Sequence, residues 1–198
     1  MQDEIINQAL EYVKKIFEND FSGHDYFHTL RVFKMATHIA TEEKANLEIV
    51  QLAALLHDVD DIKLSPQTHA QKINARRFLA ANNFPETTIC NICQIIDEVS
   101  YLGNDSVTPK TLEGKAVSFA DRIAYINHDI DDAVRAGVLK EEDIPSNLRE
   151  VLGFTKSERI NTMVMSLINS SAPQRTTPVL SKISPEKTSF PANAFTIS

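Results

Sequence analysis

At 198 residues and 22.2 kDa, the chain is long enough to bury one substantial hydrophobic core. Its composition, 42% apolar and 24% charged, is that of an ordinary globular protein. A net charge of −7 opposes non-specific binding to nucleic acid or an anionic membrane, but leaves open a small anionic ligand gathered around a bound cation.

Five glycines, no Trp and long periodic stretches favour an all-α bundle over a sandwich or barrel. Residues 3–18 read as an amphipathic helix with Ile5, Ile6, Ala9, Leu10, Val13, Ile16 and Phe17 on one face. The segment Phe21-Ser22-Gly23-His24-Asp25 breaks the pattern. A second helix is predicted over 26–43, burying Phe27, Leu30, Val32, Phe33, Met35, Ala36 and Ile39, with His28 in its first turn. A third is predicted over 46–57. Pro66 suits the opening position of a fourth, running to Asn82, and Pro85 that of a fifth, running to Val99.

Residues 103–110 form a polar loop, and a long helix is predicted from Lys110 to Ala136, where Gly137 provides a stop. Pro145 introduces a short helix, and Thr155 or Ser157 caps a last one ending near Asn169. From Ala172 onward, Pro173, Pro178, Pro185 and Pro191 interrupt Ser and Thr with no apolar period. The expected layout is therefore one helical domain over 1–171 and a disordered or loosely draped tail over 172–198.

Two further expectations come from composition. Asp3, Glu4, Glu11 and Glu18 punctuate the first twenty residues, which predicts no signal peptide. The apolar runs are too short to span a bilayer, so a soluble, cytoplasmic protein is expected. Cys90 and Cys93 form a single Cys-x-x-Cys without the context of a redox or zinc motif. Their helical spacing among Ile89, Ile92, Ile95 and Ile96 predicts core packing for both.

The chemistry concentrates elsewhere. His57-Asp58 closes the apolar run Leu52-Ala53-Ala54-Leu55-Leu56 and precedes a polar break. Chance predicts roughly 0.4 His-Asp dipeptides here. The chain has three, the others being His24-Asp25 and His128-Asp129, but only His57-Asp58 is placed to line an interior cleft. His28 lies 29 residues upstream of His57, and Asp121 lies 63 residues beyond Asp58. Two imidazoles and two carboxylates from three helices could ligate one divalent cation, a donor set that suits Mn, Fe, Co, Ni or Zn better than Ca. Asp121 sits among Phe119, Ala120, Ile123 and Ala124, where a carboxylate without a counterpart would be costly.

On the long helix, Asp121, Tyr125, Asp129 and Asp132 fall within a stripe of about 80°. The competing reading of Asp129 and Asp132 is a solvated acidic face paired with Arg122 and Arg135. His24 is one helical turn from His28 and could support the metal ligands or face a substrate. His38 and His69 read as surface or helix-packing residues, and His128 lies off the stripe.

The order His28, His57-Asp58, Asp121 resembles that of the HD-domain metal-dependent phosphohydrolases. Gly23-His24-Asp25-Tyr26-Phe27-His28-Thr29-Leu30-Arg31-Val32 and Ala54-Leu55-Leu56-His57-Asp58-Val59-Asp60-Asp61-Ile62-Lys63 are similar to small bacterial HD hydrolases, some of them nucleoside triphosphate pyrophosphohydrolases. The stretch from Thr111 to Ala133, containing Ala120-Asp121-Arg122 and Tyr125, resembles the deoxyguanosine triphosphate triphosphohydrolases, a likeness continuing to Ser171. Both branches share a Leu-Glu-Gly and Ala-Asp-Arg pattern, so 111–122 could be a seam between them.

The resemblance implies an HD-type helical bundle with a metal site between helices. It implies His28, His57, Asp58 and Asp121 as ligands of one divalent metal (Mn, Mg, Ni, Co, Fe or Zn), and a nucleotide substrate. Tyr125 and Asp129 match positions that contact the deoxynucleotide sugar, and Asp61 matches a catalytic acid of some HD nucleotidases. Lys63 and Arg31, with Lys72, Arg76 and Arg77 as further candidates, could meet phosphates. The implied activity is hydrolysis of a phosphoanhydride or phosphoester bond, with a non-hydrolysing nucleotide or metal sensor as the alternative. A homo-oligomer is compatible with either.

Overall fold

A computed structural model describes residues 2–18, 26–99 and 109–171. They form eight α-helices and, among the described residues, no strand: α1 (Gln2–Ile16), α2 (Tyr26–Glu43), α3 (Leu47–Leu56), α4 (Ile73–Ala81), α5 (Glu86–Val99), α6 (Leu112–Arg135), α7 (Ser146–Leu152) and α8 (Lys156–Ser171). Short 3-10 turns at His69–Gln71 and Glu141–Asp143 punctuate the connections. None of these helices is long and apolar enough to cross a membrane.

The bundle is organised around α3. Val50 and the run from Leu52 to Leu56 are all buried, the pattern of a helix surrounded on every side. α1, α2, α5 and α6 pack against it, and α6 also lies along α2, α5 and α8. Asn46 caps α3 by accepting from the Ile49 amide at 3.3 Å, and Thr111 caps α6 by accepting from the Gly114 amide at 3.0 Å. Glu113, in the first turn of α6, accepts from the Asn46 amide at 2.9 Å and ties the two helix starts together. The His-Asp pair at the end of α3 and the middle of α6 are thereby held in one layer.

Most boundaries follow the apolar periodicity. Gly137 sits at φ +70° just past α6, a conformation glycine adopts without steric cost. Thr155 accepts from the Glu158 amide at 3.2 Å while the Glu158 carboxylate accepts from the amides of Phe154 and Thr155, so a capping box opens α8.

Three expectations are corrected. The fourth helix begins at Ile73 rather than Pro66, because Lys72 adopts φ 50°, ψ 47° and breaks any helix arriving from the 3-10 turn. Phe27 is 64% exposed: it precedes the buried His28 and projects from the other side of the first turn of α2. Cys93 is buried but Cys90 is exposed, since the pair straddles the edge of the apolar face of α5. The tail over 172–198, the segment carrying His24 and most of the loop over 103–110 lie outside the described residues.

Candidate metal centre

Three helices deliver the four side chains singled out in the sequence. The first turn of α2 supplies His28, the end of α3 supplies His57 and Asp58, and the middle of α6 supplies Asp121. All four are buried, between 2% and 8% exposed. His28 Nε2 lies 3.0 Å from Asp121 Oδ1 and 3.8 Å from Asp58 Oδ2. His57 Nε2 lies 3.0 Å from Asp58 Oδ2 and 3.6 Å from Asp121 Oδ1. His28, His57 and Asp58 offer ligand atoms within 4.8 Å of one another, and Asp121 reaches both imidazoles.

The donor set fits a divalent ion. A first-row cation bound at about 2.1 Å places neighbouring ligand atoms roughly 3.0–3.4 Å apart. The four nitrogen–oxygen separations, 3.0, 3.0, 3.6 and 3.8 Å, bracket that span. His57 Nδ1 lies 2.8 Å from the Ala54 carbonyl oxygen, so its N–H donates backward along α3 and Nε2 is aimed at the carboxylates.

The charged groups of the cluster act on one another. Burial opposes a charged His57, but the Asp58 charge and hydrogen bonds to Asp121 and Asp58 outweigh it and hold the imidazole well above its usual value. Burial likewise pushes Asp121 up, yet hydrogen bonds from His28 and His57 and the His57 charge bring it below the ordinary carboxylate value. Two carboxylates that attract positive charge this strongly suit a cation.

Beyond the quartet, the α6 stripe leaves the core quickly. Tyr125 is 43% exposed, and the Asp129 charge, then partial burial, then the Asp121 charge raise its phenol. Asp129 is exposed, while Asp132 meets His128 Nδ1 at 3.2 Å and Arg135 at 3.8 Å. Asp132 thus follows the solvated-face reading, with His128 as a partner alongside Arg135. Asp61 is half-buried in the turn after Asp58, its Oδ1 accepting from the Lys63 amide at 2.8 Å. Lys63 is exposed, and Arg31 is half-buried on α2, one turn beyond His28. Lys72, Arg76 and Arg77 line a cleft that includes none of the quartet.

Two residues escaped the sequence reading. Asp60 is 1% exposed, and both its oxygens cap α4: Oδ1 accepts from the Asn74 amide at 3.0 Å and Oδ2 from the Ala75 amide at 2.9 Å. The Asp60 carbonyl lies 2.9 Å from His69 Nδ1, and the Val59 carbonyl accepts from the Asn74 side chain at 3.0 Å. The turn after Asp58 is therefore pinned to α4. Asp60 could have been suspected as a helix cap only if the true start of α4 were known. Arg159 of α8 is 1% exposed, donating to Glu141 at 3.0 Å and to Asn127 of α6 at 3.4 Å.

Comparison with known proteins gives the family. A deoxyguanosinetriphosphate triphosphohydrolase-like protein of Clostridium perfringens is 35% identical over 155 residues, covering 71% of this chain and 45% of that protein. The chain thus spans less than half the length of that relative, although the likeness reaches well beyond 111–171. YpgQ of Bacillus subtilis is 34% identical over 121 residues, covering 60% of this chain and 59% of that protein. A crystal structure of YpgQ in complex with ADP shares the fold at TM-score 0.56 and 22% identity, over 90% of this chain and 98% of that one. An HD-superfamily hydrolase from Bacillus thuringiensis superposes at TM-score 0.56 with 25% identity, over 89% of this chain and 98% of that one. The family model for the HD domain matches residues 25–126, a range that takes in His28, His57, Asp58 and Asp121. With that match covering just over half of its length, the chain belongs to the HD-domain family.

Proposed function

We propose that this chain is a metal-dependent hydrolase that cleaves a phosphoanhydride or phosphoester bond of a nucleotide, a (deoxy)nucleoside triphosphate above others. The observation that carries the proposal is the convergence of His28, His57, Asp58 and Asp121 from three helices into one buried cluster. The triphosphohydrolase-like relatives and the ADP found with YpgQ support a nucleotide as the ligand class.

A divalent cation held by the quartet (Mn, Mg, Ni, Co, Fe or Zn) would supply Lewis acidity toward water and a phosphoryl oxygen. The chain's own groups then have distinct tasks. Asp61 is turned by its hydrogen bond to the Lys63 amide, so one oxygen is fixed and the other can orient the attacking water or protonate the leaving oxygen. Lys63 and Arg31 offset phosphate charge, with His24 as a further contact. Tyr125 and Asp129, one and two turns along α6 from Asp121, receive the sugar. Water adds to phosphorus as the bridging P–O bond breaks, and the proton lost by the water passes to the leaving oxygen. The products are nucleoside monophosphate plus pyrophosphate, or nucleoside plus tripolyphosphate, according to which bridge is cut.

The test is a panel of the eight common nucleoside triphosphates against Mn, Mg, Ni and Co, with products resolved by chromatography. Metal-dependent turnover that disappears in Asp58→Ala and Asp121→Ala is expected; turnover surviving both substitutions would refute the site. A second reading, a nucleotide sensor without turnover, rests on the mixture of two HD branches along the chain. Calorimetric binding of dGTP without product in the same panel would select it.

A further inference from the structure

We propose that the cleft between the His69–Gln71 turn, α4 and α5 is a second binding site, one for a multiply charged phosphate anion. The cleft has a volume of about 640 Å³, within the usual range of small-molecule sites. Lys72, Arg76 and Arg77 line it with one carboxylate, Asp97, and Glu86 pairs with Arg76 beside it, so three cations meet two carboxylates in a chain whose net charge is −7. None of the four candidate metal ligands contributes to its wall, so the inference stands apart from the proposed hydrolase chemistry.

The cations are arranged for different tasks. Lys72 is 3% exposed and fixed: its ammonium donates to the His69 carbonyl at 3.1 Å and pairs with Asp97 at 2.8 Å. Asp97 is itself 61% exposed and spends much of its charge on solvent, so a fixed positive charge at the back of the cleft is only partly offset. Arg76 is anchored at its base, where Nε donates to the Gln71 carbonyl at 3.2 Å. Its Nη1 holds Glu86 at 3.1 Å, but the Glu86 side chain is 73% exposed, and such a pair exchanges readily for a better acceptor. Arg77 is exposed, and among the described residues no carboxylate pairs with it. Two guanidinium forks lining one cleft with a buried ammonium suit the oxygens of adjacent phosphoryl groups, which planar guanidinium groups bind in bidentate fashion. A monovalent or apolar ligand would leave the second fork unused.

The site can be tested by calorimetry on the full chain in excess chelator, titrating pyrophosphate, tripolyphosphate and orthophosphate. We expect pyrophosphate and tripolyphosphate to bind at one site at least tenfold more tightly than orthophosphate. Arg76→Ala with Arg77→Ala should weaken both at least tenfold with an unchanged melting temperature, since both side chains reach solvent. Glu86→Gln should tighten them about two- to threefold by releasing Arg76. Asp58→Ala should leave binding within twofold of wild type. Absence of binding, or binding equal in wild type and the double arginine variant, would overturn the proposal. So would loss of binding in Asp58→Ala, which would place the anion at the metal centre instead. A chain that binds these anions but turns over no nucleotide would retain this site while losing the proposed hydrolase function.

Discussion

The two halves of α6 do different things with the same helical repeat. From Gly114 to Ala124 all but Arg122 are buried, and Asp121 is one of several polar groups committed to the interior. From Tyr125 onward the helix is amphipathic: Asn127 and Ile130 point inward, while Tyr125, Asp129 and Asp132 face water. A carboxylate in the first half exists at the cost of desolvation and needs positive charge close by. A carboxylate in the second half costs little and can be spent on contacts that come and go. A candidate metal ligand and candidate substrate contacts can thus share one helix, with the boundary set by burial.

Asp121→Ala should break this contrast most severely. Removing one of two carboxylates that face both imidazoles is expected to lower turnover on the order of 10³-fold, about 4 kcal/mol of transition-state stabilisation. Bound metal, measured by elemental analysis after dialysis, should fall with it. Asp132→Ala, three turns further along and paired with His128 and Arg135, should change turnover less than about twofold. Equal losses from the two substitutions would show that position on the helix does not divide the roles.

Asp60→Ala comes next. It leaves the Asn74 and Ala75 amides without their acceptor in a buried setting, which costs about 2–3 kcal/mol and lowers the melting temperature by roughly 5–10 °C. Because the same residue pins the turn that follows Asp58, metal affinity should also fall by about tenfold. Asp60→Asn, which retains one acceptor, should recover part of both. A melting temperature within 1 °C of wild type would mean that α4 is held by its packing alone.

Arg159→Met tests the outer half of α6. The guanidinium joins α8 to Asn127 and to Glu141, and its loss should cost about 2 kcal/mol by thermal melting. KM should rise more than kcat falls, since the Tyr125–Asp129 segment is loosened while Asp121 stays in the core. Asp129→Ala and Tyr125→Phe should act directly on substrate contacts, each raising KM about three- to tenfold with kcat nearly constant, roughly 1 kcal/mol of uniform binding. A kcat loss as large as that of Asp121→Ala would move these residues into the reacting centre.

The helices and the quartet were legible in the sequence because both depend on patterns the chain itself displays. α1, α2, α3 and α6 carry apolar repeats long enough to fix their extent, and His57-Asp58 stands at the end of a run that only a buried helix would tolerate. What escaped was long-range. The start of α4 is set by the Lys72 backbone and by a carboxylate fourteen residues before Asn74, which no local window connects to it. Arg159 looks like any surface arginine until its 32-residue link to Asn127 is seen. Phe27 and Cys90 were misplaced for a simpler reason: each lies at the margin of an apolar face, where spacing alone cannot decide the side.

α5 repeats the contrast at a smaller scale and gives the mildest test. Cys90 and Cys93 are one turn apart, yet Cys93 is 3% exposed and burial, with smaller contributions from nearby charges, pushes its thiol up to about 11. At pH 8 that leaves about one Cys93 in a thousand as the reactive thiolate. At that pH native protein should therefore consume one equivalent of a thiol reagent quickly, at Cys90, and a second far more slowly until it is unfolded. Cys93 modification in the folded chain should speed up about tenfold per pH unit on approaching pH 11. Rapid labelling of both thiols at pH 8 would mean that α5 exposes its inner face in solution, and the packing that separates the two cysteines would have to be abandoned. Because Cys93 also lines the basic cleft, bound pyrophosphate should slow its modification further.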